Sequence, residues 1–469
     1  MSRKASMRRQ GRGFALALTA LVAAPWPVLA QGGGGRDYAP MVLGDWLFTP
    51  TVTAGGIYND NVFSSSQNKV GRLGSTLGAT GYFSRVDGLS KSQLYFTGRA
   101  DVYPSETKAN AYTGALGATH AREFGHDLLF NGAVEVARIQ NSLQAQTLTP
   151  TGTLDLSPTN YTQFQAQASL RKTFNRLFVE GGGSFVSQYY DDKTVQNSDR
   201  NGWSTRIRGR VGYEVAPLVS VFVEPSLEFQ RYSNSFYDTD GHQVVGGLTS
   251  PRWRLLSGEV YAGYMTQRYP NANVGSQTAP TFGGSLSWFP TEDIIVTLAA
   301  QQTIGLSGPT QGTAFSIVGS IPGATPSGDP LASVSPAASA ASPTTSANAQ
   351  ATQLSNSLVS NASGLTVTQE LFASPGSSTK TTTVSLGGRY LATQAWTLGG
   401  TFSYQASTPQ SSISRYQDSE IYLARFSLDY SLTPNWGLSG TYSYARVLYD
   451  TPGLSYGQNI VTLAVNGRL

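Results

Sequence analysis

The stretch Gln93-Leu94-Tyr95-Phe96-Thr97-Gly98-Arg99-Ala100-Asp101-Val102-Tyr103 decides the fold. Leu94, Phe96, Gly98, Ala100 and Val102 take one set of alternate positions. Gln93, Tyr95, Thr97, Arg99, Asp101 and Tyr103 take the other. Period-two alternation marks an extended strand whose faces meet different surroundings. One face here is apolar or small and the other carries charge. A strand with lipid on one side and a hydrated lumen on the other reads this way, because a charge on the lipid face costs about 2–4 kcal/mol at mid-bilayer.

The same alternation recurs along the chain. Phe130, Val134 and Val136 oppose Asn131 and Glu135. Phe164, Ala166, Ala168 and Leu170 oppose Gln163, Gln165, Gln167 and Arg171. Val219, Val221, Val223, Leu227 and Phe229 oppose Ser220, Glu224, Ser226 and Glu228. Trp396, Leu398, Phe402 and Tyr404 share an outward face, as do Val461, Leu463, Val465 and Leu469 in the last segment. Tight turns near Asp87-Gly88, Phe124-Gly125, Asn175, Ala216-Pro217, Pro251, Thr291, Thr393 and Pro434 alternate with long connections. Counting a short tenth strand over His242–Thr249 puts every tight turn on one side. The expectation is an all-β transmembrane antiparallel β-barrel of about eighteen strands, with both termini periplasmic. Trp46, Phe48, Phe124, Trp203, Trp253, Trp288, Trp396 and Trp436 sit near strand ends and read as an interfacial girdle.

The first 30 residues read as an export signal. Arg3, Lys4, Arg8, Arg9 and Arg12 precede the apolar run Phe14–Val22, and Val28-Leu29-Ala30 offers small residues for cleavage near Ala30. Residues 31–45 follow as a periplasmic lead, and 46–469 form the barrel. The formal charge of +4, from 32 basic and 28 acidic residues, owes its sign to those five basic residues. It is therefore no argument for nucleic acid. With no cysteine in the chain, disulfides, thiol catalysis and thiolate metal sites are excluded.

Ser307 to Ser378 differs in kind. It is rich in Ser, Ala, Thr, Pro and Gly, and Asp329 and Glu370 are its only charges. Two readings stand: a disordered extracellular loop, or a segment that folds inward and plugs the lumen. Gly364–Phe372 alternates and would extend a neighbouring strand.

The candidate lumen-lining residues are Tyr95, Arg99, Asp101, Tyr103, Glu135, Arg171, Glu180, Arg206, Arg208, Arg210, Glu224, Glu228, Glu259, Tyr261, Arg389, Arg425 and Asp429, with Tyr82 and Arg468 beside them. Arg206, Arg208 and Arg210 form a three-rung ladder. Pairing with the next strand places Arg206 opposite Glu228 and Arg210 opposite Glu224. The ladder either stiffens the wall by ion pairs or guides anionic solute. Inward tyrosines suit sugar faces, and equally suit ordinary wall packing. His120, His126 and His242 converge with no nucleophile, so catalysis is not expected. Asp191-Asp192 and Asp238 with Asp240 lack the spacing of a cation loop and read as solvated acids. No metal or cofactor is expected.

Gly56-Ile57-Tyr58-Asn59-Asp60-Asn61-Val62-Phe63 resembles the end of the first strand in the putative beta-barrel porin 2 family. Glu259-Val260-Tyr261-Ala262-Gly263-Tyr264 and Phe282-Gly283-Gly284-Ser285-Leu286-Ser287-Trp288-Phe289-Pro290-Thr291 are similar to its central region. Asn59 in place of the usual Asp, the terminal Leu469 and the long insertion depart from the pattern. The resemblance implies an integral protein of the outer membrane, delivered by the barrel insertion machinery. Some similar barrels accompany polysaccharide export, so it also implies a periplasmic-side export protein as partner. Three functions follow as alternatives: a component of exopolysaccharide or capsule export, a free-standing diffusion porin for small solutes, and a surface adhesin working through the Ser307–Ser378 loop.

Overall fold

The computed structural model describes residues 40–125, 127–141, 147–148, 154–155, 159–191, 201–253, 255–271, 275–291, 293–306, 378–393, 395–409, 418–450 and 455–468. The expected export signal, His126, Asp192, Leu469 and the insertion up to residue 377 lie outside them.

Eighteen antiparallel strands form a ring. They are β1 (Trp46–Asn59), β2 (Arg72–Asp87), β3 (Ser90–Val102), β4 (Ala111–Phe124), β5 (Leu128–Asn141), β6 (Thr159–Phe174), β7 (Leu177–Tyr190), β8 (Gly202–Ala216) and β9 (Val219–Tyr232). The second half comprises β10 (Thr239–Trp253), β11 (Leu256–Arg268), β12 (Gln277–Thr291), β13 (Ile294–Leu306), β14 (Ser378–Leu391), β15 (Trp396–Pro409), β16 (Ser419–Ser431), β17 (Trp436–Tyr449) and β18 (Tyr456–Arg468). Each strand pairs with its sequence neighbour, and β18 closes the ring on β1 from Thr51↔Arg468 to Asn59↔Ile460. Closure leaves no unpaired edge, the condition for crossing lipid with strands.

Burial follows the alternation. Leu73, Leu77, Leu116, Val134, Leu227, Phe426 and Leu463 are exposed on the outer face. Thr76, Asp101, Asn131, Gln165, Glu224 and Thr462 are buried on the inner one. This is the reverse of a water-soluble protein, and it fits a barrel whose outer surface is covered by lipid.

All the short connections lie at one rim, which also holds the start of β1 and the end of β18. Their tightness demands left-handed backbone, supplied by Gly88 (φ 52°), Gly125 (φ 60°) and Asn175 (φ 56°). Register shifts at Glu214/Ala216, Ser250/Trp253 and Trp288/Thr291 fall at this rim too, where extra curvature helps a strand turn back.

Two expectations need correction. The tenth strand is full length, pairing with β9 from Thr239 to Thr249 and with β11 as far as Trp253. Pro251 is therefore within it and not at the turn. Ahead of β1, Met41–Leu43 folds back as a short strand on Trp46–Phe48.

Candidate functional site

Every inward candidate named from the sequence sits on the face opposite the exposed apolar residues of its strand, with Tyr103 just past the end of β3. They are not equivalent, however. They separate into a crowded arc, a polar belt and a sparsely furnished arc.

The crowded arc runs from β6 to β11. Arg210 donates from Nε to Glu224 Oε2 at 2.8 Å, and from Nη1 and Nη2 to the two oxygens of Glu259 at 3.0 and 3.3 Å. Arg208 lies 3.4 Å from Glu180 and 3.6 Å from Glu224. The Arg210 side chain is 0% exposed and that of Glu224 1%. Charges so far from water persist only when paired and hydrogen-bonded. Arg171, Arg208 and Arg210 balance Glu180, Glu224 and Glu259, so this patch is electroneutral. Arg206 departs from the expected pairing: it donates to Gln243 Oε1 at 2.7 Å and Ser226 Oγ at 3.2 Å. Glu228 stands opposite it in register but accepts from Gln230 Nε2 at 2.6 Å.

Aromatic rings seal this arc by lying on glycines of the next strand. Phe178 is register partner of Gly212, Phe222 of Gly247 and Tyr261 of Gly283. A Cβ on Gly212 would stand 2.1 Å from the Phe178 ring, one on Gly247 2.7 Å from Phe222, and one on Gly283 2.3 Å from the Tyr261 hydroxyl. Tyr95 lies on Gly117 in the same way. The rings in turn carry cations: Arg171 stacks 3.9 Å from the Phe178 centroid and Arg210 3.8 Å from that of Phe222. Sequence reasoning missed Phe178 and Phe222. Their signal was parity, which they share with Glu180 and Glu224.

A polar belt continues the wall. Tyr95 donates to Glu135 Oε2 at 2.5 Å and Gln165 Nε2 to Glu135 Oε1 at 2.5 Å. Gln163 donates to Gln165 at 3.0 Å, and Gln188 to Gln163 at 2.9 Å. Tyr82 packs beside Tyr95 with centroids 6.2 Å apart. Tyr95 is thus a tethered part of the wall.

The remaining arc, β13 to β18, bears mainly small hydroxylic residues inward: Thr297 on β13, Thr383 and Ser385 on β14, Thr401 and Ser403 on β15, Ser439 and Ser443 on β17. Arg389, Arg425 and Asp429 are the sequence candidates placed here. Arg99 pairs with Asp101 at 3.0 Å on β3.

The mouth at the long-loop rim holds a further feature. The connection after β1 begins at Asp60; Asn61, Val62 and Ser64 are buried, and the connection turns in over the lumen. Val62, with Phe63 and Val70 partly buried, packs on Ile57, Tyr103, Ala109, Ala445 and Ile460. Those apolar inward residues would face water without this cover, and their burial favours the inward fold. Asn61 fixes it by donating to Ser65 O at 2.8 Å and Gly457 O at 3.1 Å, while accepting from Ser65 N at 2.9 Å. Across the seam, Gln458 Nε2 donates to Asn59 Oδ1 and Asn61 O at 3.0 and 2.8 Å, and Asn459 donates twice to Asp60. The Asn59-Asp60-Asn61 motif is thus a clasp between the first and last strands.

The other candidates do not assemble. His120 and His242 share the outward parity of their strands. Asp191 pairs with Arg138, and Asp240 accepts from Arg231 at 2.5 Å. Asp238 accepts from Tyr232 N at 2.9 Å. No metal-holding group occurs among the described residues.

The model of a family described as putative beta-barrel porin 2 matches residues 38–314. No curated protein matches the chain. Among solved structures, OprD, an outer membrane protein of Pseudomonas aeruginosa, is 14% identical, with 93% of this chain and 97% of that one covered and a TM-score of 0.41. OpdL of Pseudomonas aeruginosa is 13% identical, covering 91% and 99%, with a TM-score of 0.41. A BenF-like porin of Pseudomonas fluorescens Pf-5 is 12% identical, covering 90% and 99%, also with a TM-score of 0.41.

Proposed function

The chain belongs to the putative beta-barrel porin 2 family, and from that premise we propose that it is a free-standing passive channel for small hydrophilic solutes. An outer-membrane barrel of porin type is not an enzyme, and eighteen strands enclose enough width for an aqueous path. The observation that carries the finer reading is the inward fold of residues 60–71. A connection clamped over the lumen by Asn61 and an apolar pad is the narrowing that a size-limited diffusion pore requires. In this reading the short-turn rim faces the periplasm, the signal is removed near Ala30, and insertion machinery delivers the barrel. Polysaccharide export draws less support, because Tyr95 and Tyr261 lie flat on glycines and Tyr103 is buried under the mouth loop.

Single-channel conductance of the refolded full chain in a planar bilayer tests this reading. Stable unitary steps without any partner are expected. The double variant Asn61→Ala/Gln458→Ala, which frees the mouth loop, is expected to conduct more and with larger fluctuation. A demonstrably folded barrel that stays silent, or one that conducts only once a periplasmic export protein is added, overturns the free-standing reading in favour of partner-dependent export. Conductance identical in the double variant removes the mouth loop as the narrowing.

A further inference from the structure

One joint of the closed ring is laddered over only part of its length. β12 and β13 pair from Thr291↔Ile294 up to Gly283↔Gln301, and there their ladder ends. Both strands run on toward the long-loop rim. β12 continues against β11 as far as Gln267↔Gln277, and β13 against β14 as far as Leu306↔Ser378. Residues 278–282 and 302–306 thus stand next to each other without ladder pairs.

Pro280 accounts for the break. It has no N–H to donate, and its carbonyl accepts from Gln302 Nε2 at 2.8 Å. Thr281 Oγ1 donates in turn to Gln302 O at 2.8 Å. Gln302 therefore holds the joint by its amide and its carbonyl, where backbone pairs hold the strands on either side. The depth of the break matters. Trp288 marks the interface at the short-turn rim. At about 3.3 Å per residue and a tilt of about 40°, Phe282 stands about 15 Å above it, inside an apolar band about 25 Å tall. Unpaired backbone is costly against hydrocarbon, so an open joint at that height needs a latch or a wet occupant.

The two faces of the joint differ. Thr281, Thr303 and Thr383 present hydroxyls on the lumen side. Phe282, Leu298 and Val384 are exposed on the lipid side. Neither β12 nor β13 carries a charged residue. A body crossing here passes from hydroxyls to hydrocarbon within the thickness of one wall, and meets no charge on either strand.

We propose that this joint is a lateral passage between the lumen and the long-loop half of the membrane, for single-chain amphiphiles with an uncharged polar head, and that Gln302 is its latch. The passage goes beyond the channel reading and does not depend on conductance.

The chain has no cysteine, so single introduced cysteines can be labelled cleanly. The full chain is refolded into lipid vesicles, with folding checked by the heat-shifted mobility of intact barrels. Bimane is placed on Thr303→Cys at the joint or on Thr297→Cys, which faces inward from the laddered part of β13. The probe is dodecyl maltoside with a brominated chain, kept below the concentration that dissolves the vesicles, because bromine quenches on contact. Quenching is expected to be stronger at Thr303→Cys than at Thr297→Cys. Adding Gln302→Ala, which removes the bond to Pro280, is expected to raise it about fivefold at Thr303→Cys. Adding Pro280→Val instead, which restores a backbone donor so that the ladder can extend, is expected to lower it to the level of Thr297→Cys. Equal quenching at the two positions overturns the passage. Quenching that Pro280→Val leaves unchanged also overturns it, since the probe then enters by the mouth. No change with Gln302→Ala overturns Gln302 as the latch. A barrel that conducts but shows no difference between the two positions keeps the channel reading and loses the passage.

Discussion

Two arcs of the same wall solve the problem of facing water in opposite ways. From β6 to β11 the inner face is filled with arginine, glutamate and aromatic rings that consume one another, so that Arg210 and Glu224 see almost no water. From β13 to β18 it bears mostly serine, threonine and glycine, and the charges that remain are Arg389, Arg425 and Asp429, with Arg468 at the rim. A count of lumen charges would rank the first arc as the functional one. The contacts undo that ranking, because charges that satisfy one another build a wall.

The sharpest way to break this contrast is to remove one partner from each side. Glu259→Ala would leave Arg210 buried and short of an anion, and is expected to lower stability by about 3–5 kcal/mol. Thr401→Ala in the sparse arc is expected to cost less than about 1 kcal/mol. Urea unfolding of the refolded barrels measures both, and comparable losses would dissolve the distinction. A smaller effect separates the glycines. Gly212→Ala drives a methyl into the Phe178 ring, for an expected loss of about 1–3 kcal/mol, relieved by adding Phe178→Leu. Gly399→Ala meets only the Ser427 hydroxyl, which can rotate away, and should change stability by less than about 1 kcal/mol. The smallest effect is at Glu228. Because it accepts from Gln230 and stays out of the arginine network, Glu228→Gln is expected to lie within about 0.5 kcal/mol of the native protein. A loss like that of Glu259→Ala would restore the pairing with Arg206 that register alone suggested.

What the sequence made legible was whatever period two encodes. Strand number, facing and the inward placement of Glu135, Arg171 or Glu259 follow from neighbours one and two residues away. Partner choice does not. Arg206 and Glu228 are opposite in register, but Gln243 from a third strand captures the guanidinium. The aromatic–glycine pairs join residues 34 apart for Phe178 and Gly212, so neither hints at the other locally. Nothing within Asn59-Asp60-Asn61 itself sets the course of the mouth loop. Its inward course depends on Ala445, Gln458 and Ile460, contributed by the far end of the chain. Gly467 leaves an outward position of β18 without a side chain. Trp436 on the adjacent strand fills that place, its ring 2.9 Å from where a Cβ would be.

The clasp between Asn59-Asp60-Asn61 and Gln458-Asn459 also bears on how the barrel is made. Its two halves lie on the strands that close the ring, so the mouth loop gains its anchors only when β18 docks on β1. In the proposed reading of that loop as the narrowing, sealing the ring and setting its calibre are one step of assembly.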